Sequence, residues 1–272
     1  MADSNAFDSA AARRRCLKYR RRILDISQVV SALHIAPAYS CLEIVDAVYH
    51  GLLRRGGASP DTFLMSKGHG CVAQYVVLED LGVLLEEDIA QYCTSQGRLG
   101  AHPDYGVPGI EASTGSLGHG MGIAVGMAYA DRLLGDERRV FVVLSDGEMQ
   151  EGSTWETMMM AANLGLSNIV ALLDLNDRQS LGQTSKTHPA FYPVDEKAEA
   201  FGWEVAEVNG HDADALTRAF WQRAGDKPFF LVCRTIKGKG VRFMENVPIW
   251  HYRSPTPDEY QEAIDNLVEI GE

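Results

Sequence analysis

Cysteine is scarce in this sequence and never paired: Cys16, Cys41, Cys71, Cys93 and Cys233 are odd in number and form no CxxC. That excludes a small disulfide scaffold and a thiolate metal site, and it points to a reducing, cytoplasmic compartment. Zinc spacing is missing too, with no HxxxH and no Cys/His cluster. No apolar stretch approaches the length that spans a bilayer, so no membrane association is expected. Positive charge is in deficit, with 25 Lys and Arg against 37 Asp and Glu and a formal net charge of −12. This argues against a nucleic-acid partner, which needs clustered cations. The basic run Arg13 to Arg15 and Arg20 to Arg22 is the exception; with Leu17, Ile23, Leu24 and Val30 on an apolar side it reads as a solvated helix face. Asp3, Asp8 and Asp25 weigh against a transit peptide there. Repeats and linkers are also lacking, so the 272 residues read as one domain, 1–272.

What is present is alternation. The first part, about 9–60, is helical, and Ser40-Cys-Leu-Glu43 has the form of a capping box ahead of Ile44, Val45, Val48, Tyr49 and Leu52 at helical spacing. A short strand around Thr62–Met65 leads into Ser66-Lys-Gly-His-Gly70 and another helix. From Arg139 the pattern predicts strand 140–144, helix 154–164, strand 169–173, a helix near 194–201, strand 203–208, a helix near 213–223 and strand 229–233. That is an α/β fold: a doubly wound, mostly parallel sheet with helices on both faces. Ser153 with Glu156 forms a second capping box, and Gly165 stands where a helix ends, which leaves 146–152 as a loop above the sheet. Thr256, Pro257 and Glu259 open a last helix, about 257–269, and the chain is expected to end there as a complete unit.

Asp146-Gly147 closes the apolar run Val140 to Leu144, and Asp174-Leu-Asn176-Asp closes the run Ile169 to Leu173. In a β-α-β unit both tips leave the sheet at its carboxyl edge, where open α/β sheets bind ligands. An Asp beside an Asn suits a hard cation that keeps phosphate oxygens among its ligands; a plain turn and a plain cap are the alternatives. A loop between strand end and helix start also offers backbone N–H groups to phosphate. Gly118, Gly122, Gly126 and Ala130 recur every four residues and share one helix face. Helix packing explains Gly122 and Gly126, and the turn Gly115-Ser-Leu-Gly118 is the better ligand candidate. His34, His69, His102, His119 and His251 sit in loops or at helix ends, where surface placement and hydrogen bonding to hydroxyls or phosphate both remain open.

Together Leu64-Met-Ser-Lys-Gly-His-Gly70, Gly100-Ala-His-Pro-Asp104, Ser113-Thr-Gly-Ser-Leu-Gly118 and Asp146-Gly147 with Asn176 resemble transketolase. The resemblance runs from roughly 20 to 255 and covers only the diphosphate-binding domain of a usual transketolase; Lys237 to Asn246 with Trp250-His251 is similar to the bacterial two-chain group. It implies the N-terminal subunit of a split transketolase, with thiamine diphosphate and Mg²⁺ or Ca²⁺. It implies Asp146, Asn176 and the Arg178 carbonyl as metal ligands, thirty residues separating the first two. His69 and the Gly147 N–H match diphosphate contacts, and Gly115, Ser116 and Leu117 match the segment along the aminopyrimidine. His34, His69, His102 and His251 match the histidines of the substrate channel. Glu151 and Glu156 match carboxylates linking two cofactor sites across a dimer, although the capping box explains Glu156 equally well.

Two positions depart from the family, Ser145 for the usual Gly and His119 for the usual Gln. The resemblance also implies a partner. The glutamate that activates the aminopyrimidine and the arginines that hold a sugar phosphate have no counterpart here. A second subunit carrying the pyrimidine-binding and C-terminal domains, in an α₂β₂ assembly, is therefore expected. The function expected is transfer of a two-carbon ketol unit from a ketose phosphate donor to an aldose. The rivals are a related thiamine-diphosphate ketol or acyl transferase of specialised metabolism and a non-catalytic paralogue.

Overall fold

The computed structural model describes residues 7–30, 33–179 and 182–271, with nothing said of the Ile270 side chain. Residues 1–6, 31–32, 180–181 and 272, parts of the expected domain and of its helical first segment, lie outside the described residues. In chain order the elements are α1 (Ser9–Ser27), α2 (Ile35–Ala47) continued by a π-helical turn Val48–Leu52, β1 (Thr62–Met65), α3 (Cys71–Asp80), α4 (Glu86–Ala90), α5 (Gly120–Leu134), β2 (Val140–Ser145), α6 (Gly152–Asn163) and β3 (Ile169–Leu175). A small hairpin follows, β4 (Arg178–Gln179) with β5 (Gly182–Gln183), then α7 (Thr184–Thr187), α8 (Val194–Ala200), β6 (Glu204–Asn209), α9 (Ala213–Gln222), β7 (Phe229–Arg234) and α10 (Pro257–Gly271). The helical first segment ends at Leu52 rather than near 60.

Among the described residues the main sheet has five parallel strands in the order β1-β2-β3-β7-β6. The chain steps forward from β1 to β2 to β3, jumps to the far edge at β6, and returns to β7. Right-handed crossovers put forward-step helices on one face and the backward-step helix on the other. Accordingly α5, α6 and α8 pack on one side and α9 on the other, where α1, α2, α3 and α10 join it. Side chains alternate between two cores: Phe141, Val143, Val170, Leu172, Phe229 and Leu231 face α2 and α9, whereas Val142, Leu144, Ala171, Leu173, Phe230 and Val232 face α5 and α6. A strand covered on both faces needs no polar alternation, which is why these strands read as unbroken apolar runs.

Several expectations fail, the serine caps and part of the basic run because distant partners outcompete local ones. Ser40 caps nothing; it lies inside α2, whose N-cap is His34, and its hydroxyl bonds Asp174 Oδ1 at 2.7 Å. Ser153 is likewise inside α6, which starts at Gly152, and donates to the Gly118 carbonyl at 3.0 Å. Along the glycine stripe a Cβ on Gly118 would lie 2.5 Å from Ser153 Oγ and one on Gly122 would lie 3.8 Å from Thr157 Oγ1, both on α6, whereas Gly126 has nothing within 4 Å and helix packing within this chain does not explain it. Of the basic run, Arg15, Arg20 and Arg22 turn inward and pair with Asp46, Glu43 and Glu79; Arg13, Arg14 and Arg21 keep the solvated face. The box at Thr256 and Glu259 does form, with both reciprocal bonds present.

Candidate active site

The carboxyl ends of β1, β2, β3 and β7 feed one basin. β2 ends in Ser145 and delivers Asp146, which is 1% exposed. β3 delivers Asp174 as its penultimate residue and Asn176 just beyond its end. The chain then turns through Asp177 at φ 58°, a left-handed conformation rare outside Gly, Asn and Asp. That turn aims the Arg178 N–H back at the site, where it donates to Asn176 Oδ1 at 2.9 Å and Asp146 Oδ2 at 3.1 Å. One donor thus gathers two side-chain oxygens from two strands. The Asn176 amide is oriented from behind, its Nδ2 donating to Ser40 Oγ at 2.9 Å and to Asp174 Oδ2 at 3.5 Å, so its oxygen faces Asp146.

Behind this pair lies a buried network. Lys67, 1% exposed, pairs with Asp174 and donates to the Pro37 carbonyl at 3.0 Å, while Thr235 bonds the other Asp174 oxygen. Burial disfavours the Lys67 charge, but Asp174 outweighs it and holds the ammonium at about 12. Asp146 is in the opposite position: burial first, and then the Asp174 charge, push its carboxyl up to about 7. A carboxylate this costly to ionise alone is one that a divalent cation would stabilise. Among the described residues no group of three or more His, Cys, Asp or Glu could hold a metal by itself. A cation here would take one carboxylate, one amide oxygen and a carbonyl, with phosphate and water completing its shell, a donor set that fits Mg²⁺ or Ca²⁺.

The four histidines singled out in the sequence converge around His34. Its ring centroid lies 5.8 Å from His69, 6.0 Å from His102 and 5.6 Å from His251. His34 caps α2, His69 sits in the turn before α3, His102 belongs to the long connection into α5, and His251 lies in a 3₁₀ turn after β7. Burial pulls His34 down to about 4, with His102, Lys237 and Lys67 adding to it. Burial and then Lys237 take His251 to about 3, and burial followed by Lys67 drives His69 well below its ordinary value. Each shift favours the neutral imidazole, which for these three points to neutral rather than cationic hydrogen bonding.

Gly115 is where the loops meet. Its φ is 131°, and a Cβ there would lie 2.7 Å from His102 Cδ2; a Cβ on Gly68 would in turn lie 2.7 Å from Gly115 Cα. The two glycines let backbone touch backbone and ring, presenting Gly115, Ser116 and Leu117 along the rim. Gly147 donates its N–H to Asp146 Oδ1 at 2.9 Å. Glu151 and Glu156 stand apart from this cluster, exposed on α6 and its N-cap. Glu156 makes no capping bond, so that explanation of it falls. His119, at the N-cap of α5, is exposed with its Nδ1 3.1 Å from the Leu117 carbonyl, and Ser145 Oγ accepts from Glu148 N at 3.3 Å.

Four buried polar groups at or beside the basin were not singled out in the sequence. Asp174 was visible two residues before Asn176, and Lys67 lay inside the motif Ser66-Lys-Gly-His-Gly70. Lys237, 3% exposed in the glycine-rich turn after β7, donates from Nζ to His251 Nδ1 at 2.6 Å. Burial, with Lys67 nearby, lowers it to about 8. Glu148 is fully buried as well, its Oε1 accepting from Ser66 Oγ and the Gly118 N–H. Burial raises its carboxyl to about 7.

The family model for the transketolase thiamine diphosphate binding domain matches residues 20–259. The chain is 36% identical over 259 residues to an apulose-4-phosphate transketolase subunit of Phocaeicola vulgatus, covering 93% of this chain and 92% of that one. It is 35% identical over 269 residues to an uncharacterised transketolase family protein of Sinorhizobium fredii, covering 94% and 95%. In shape it resembles the crystal structure of transketolase from Campylobacter jejuni, with a TM-score of 0.87 at 24% identity, over 94% of this chain and 42% of that one. It thus spans nearly the whole length of these two relatives and less than half of the Campylobacter chain. By sequence and by architecture, this chain belongs to the transketolase family of transferases and carries that family's thiamine diphosphate binding domain.

Proposed function

We propose that this chain is the diphosphate- and metal-binding subunit of a cytoplasmic two-chain transketolase, which moves a two-carbon ketol unit from a ketose phosphate to an aldose. The observation that carries the reading is the pair Asp146 Oδ2 and Asn176 Oδ1, both turned to the Arg178 N–H at the carboxyl edge of the sheet. These oxygens and the Arg178 carbonyl would hold Mg²⁺ or Ca²⁺. His69, the Gly147 N–H and the Lys237 ammonium would meet the diphosphate, and Gly115, Ser116 and Leu117 would border the aminopyrimidine. When bound, thiamine diphosphate supplies the nucleophilic carbon that accepts the ketol unit.

What the chain's own residues add is positioning and proton handling. Neutral His34 and His69 each have one nitrogen to donate and one to accept, so they can hold donor hydroxyls and pass a proton between a sugar oxygen and water. His251 has its Nδ1 occupied by Lys237, which leaves its proton on Nε2 and makes that atom the donor. His102, pressed on Gly115, completes the wall.

A partner is part of the proposal. Tyr129, Leu133 and Leu134 on α5 and Met159 and Met160 on α6 are exposed, Leu134 by 80%. Large apolar side chains exposed on two helices that pack side by side mark an interaction surface. The exposed Glu151 and Glu156 border it on α6, where they would face a second copy in an α₂β₂ assembly. The second subunit would bring the pyrimidine-binding glutamate and the phosphate-binding arginines; that the Phocaeicola relative is itself named as one subunit supports a two-chain arrangement. Native mass spectrometry of the chain coexpressed with the product of an adjacent gene, in thiamine diphosphate and Mg²⁺, is expected to give a heterotetramer with two cofactors. A chain that stays alone and cofactor-free, or that turns over sugars without a partner, refutes the reading.

A further inference from the structure

Lys237 is held in place by a polar strut that reaches it from three other elements. The turn Gly210 to Asp212, between β6 and α9, is pressed onto the end of β7: Gly210 N donates to the Arg234 carbonyl at 2.8 Å, and a Cβ on Gly210 would lie 2.5 Å from Thr235 Cγ2. That contact seats the His211 ring between α2 and the chain leaving β7. Its Nε2 is 2.8 Å from the backbone N of Ile236, and its Nδ1 is 2.8 Å from Glu43 Oε2. A backbone N–H only donates, so Nε2 must be bare. The ring proton then sits on Nδ1 and is given to Glu43. The geometry allows one neutral tautomer and no imidazolium.

Glu43 in turn is paired with Arg20 of α1, Nη1 to Oε1 at 2.6 Å, and Arg20 Nε donates to the Lys239 carbonyl at 2.9 Å. Burial opposes the Glu43 charge, but Arg20 and His211 more than offset it and hold the carboxyl at about 2. The turn that carries Lys237 is therefore pinned on both sides, Ile236 by His211 and Lys239 by Arg20, through one carboxylate from the middle of α2. Gly238 N adds a bond to the Ala36 carbonyl at 3.1 Å. Taking two charges out of water costs several kcal/mol per ion before their attraction is counted, so an apolar filling would hold α1 to α2 at least as cheaply. What the polar version supplies is a fixed backbone position for residues 236 to 239.

We infer that His211 is a positioning residue for Lys237: as the Nδ1–H tautomer it ties Glu43 to the Ile236 N–H, and so sets where the Lys237 ammonium meets an anion in the basin. This rests on the reading that Lys237 faces the cofactor diphosphate, and two measurements keep the two apart. The first needs no cofactor. Long-range ¹H–¹⁵N correlation on the histidine-labelled complex, with His211 assigned by substitution, is expected to show the Nδ1–H form; an Nε2–H form or an imidazolium overturns the strut. The second is calorimetric titration of the complex with thiamine diphosphate and Mg²⁺ for wild type, His211→Phe, Lys237→Met and the double variant. His211→Phe should weaken binding about tenfold and Lys237→Met about a hundredfold, while the double variant is no weaker than Lys237→Met alone, because the first change acts through the second residue. Losses that multiply overturn the positioning role and leave the cofactor reading intact. Failure of the wild-type complex to bind overturns the cofactor reading, and the role given to Lys237 with it, whatever the tautomer.

Discussion

On the sheet face that carries α1, α2, α3, α9 and α10, helices lie over helices and the charges that go inside go in as pairs: Arg15 with Asp46, Arg20 with Glu43, Arg22 with Glu79. On the face that carries α5, α6 and α8 the covering is one layer deep, and its outer surface shows Leu133, Leu134, Met159 and Met160 to solvent. A chain that buries ion pairs on one side while leaving leucines bare on the other is not short of core. The first face also leaves Trp221 of α9 and Val268 of α10 exposed, so the difference lies in the layering and in the apolar cluster on α5 and α6, which the proposed assembly would cover. The basin with Asp146 and Asn176 lies at the sheet edge, with α2 of the closed face on one side and the Gly115 to Gly118 loop that leads into α5 of the open face on the other.

Substitution at that basin has the largest expected effect. In the assembled complex Asp146→Ala should weaken binding of thiamine diphosphate with Mg²⁺ on the order of a thousandfold, about 4 kcal/mol, and abolish turnover without lowering the melting temperature. Retained affinity by calorimetry would take the metal away from Asp146. Next comes the closed face. Phe141 is fully buried, 5.5 Å ring to ring from Phe220 and under the Arg139 guanidinium. Phe141→Ala should cost about 3 to 5 kcal/mol of stability, read as a lower urea midpoint, with cofactor affinity kept in the fraction that folds. The open face should respond the other way round. Leu134→Asp is expected to change folding stability by less than about 0.5 kcal/mol and to weaken assembly of the complex about a hundredfold, measured by analytical ultracentrifugation. Assembly that survives Leu134→Asp, or folding that does not, would erase the distinction between the faces.

How much of this the sequence disclosed follows the range of the interactions. The strands of β2, β3 and β7 are legible because burial on both faces writes them as continuous apolar runs, and Asp146 and Asn176 are legible because each directly follows such a run. The four histidines were found as loop residues, but their convergence on His34 depends on how far apart in the chain four loops return to one edge. Ser40 and Ser153 mislead for a physical reason. An S-x-x-E pattern predicts a cap when no better partner exists, and here Asp174, 134 residues from Ser40 in the chain, and the Gly118 carbonyl, 35 from Ser153, are better partners. Arg20 and His211 carry no local signal at all. Their partner Glu43 is reached only when α1, α2 and the β6–α9 turn come together, and a charge run on a helix looks the same whether its arginines face water or carboxylates.

The smallest effect is a protonic one, and it separates the basin from both faces. In the cofactor-free protein Asp146 titrates at about 7 instead of 3.8, because burial and the neighbouring Asp174 oppose its charge. Between pH 4 and 7 the folded chain therefore holds a proton that the unfolded chain has released, so this group's contribution to stability falls as pH rises through that window. Binding has the opposite slope. A cation can use Asp146 only as the carboxylate, so below pH 7 the proton must leave, and affinity should climb about tenfold per pH unit up to 7 and then level. His34 and His251, at about 4 and 3, are already neutral across this range and add no slope. Above pH 8 Lys237 loses its charge and affinity for a diphosphate should fall again. Calorimetry in two buffers of different ionisation heat reads the protons directly. Beyond what thiamine diphosphate and Mg²⁺ exchange with each other in solution, about one proton should be released at pH 6 and almost none at pH 7.8. Equal counts at both would mean that Asp146 is already ionised before the metal arrives, and the basin would then be a preformed anion rather than a carboxyl waiting for its cation.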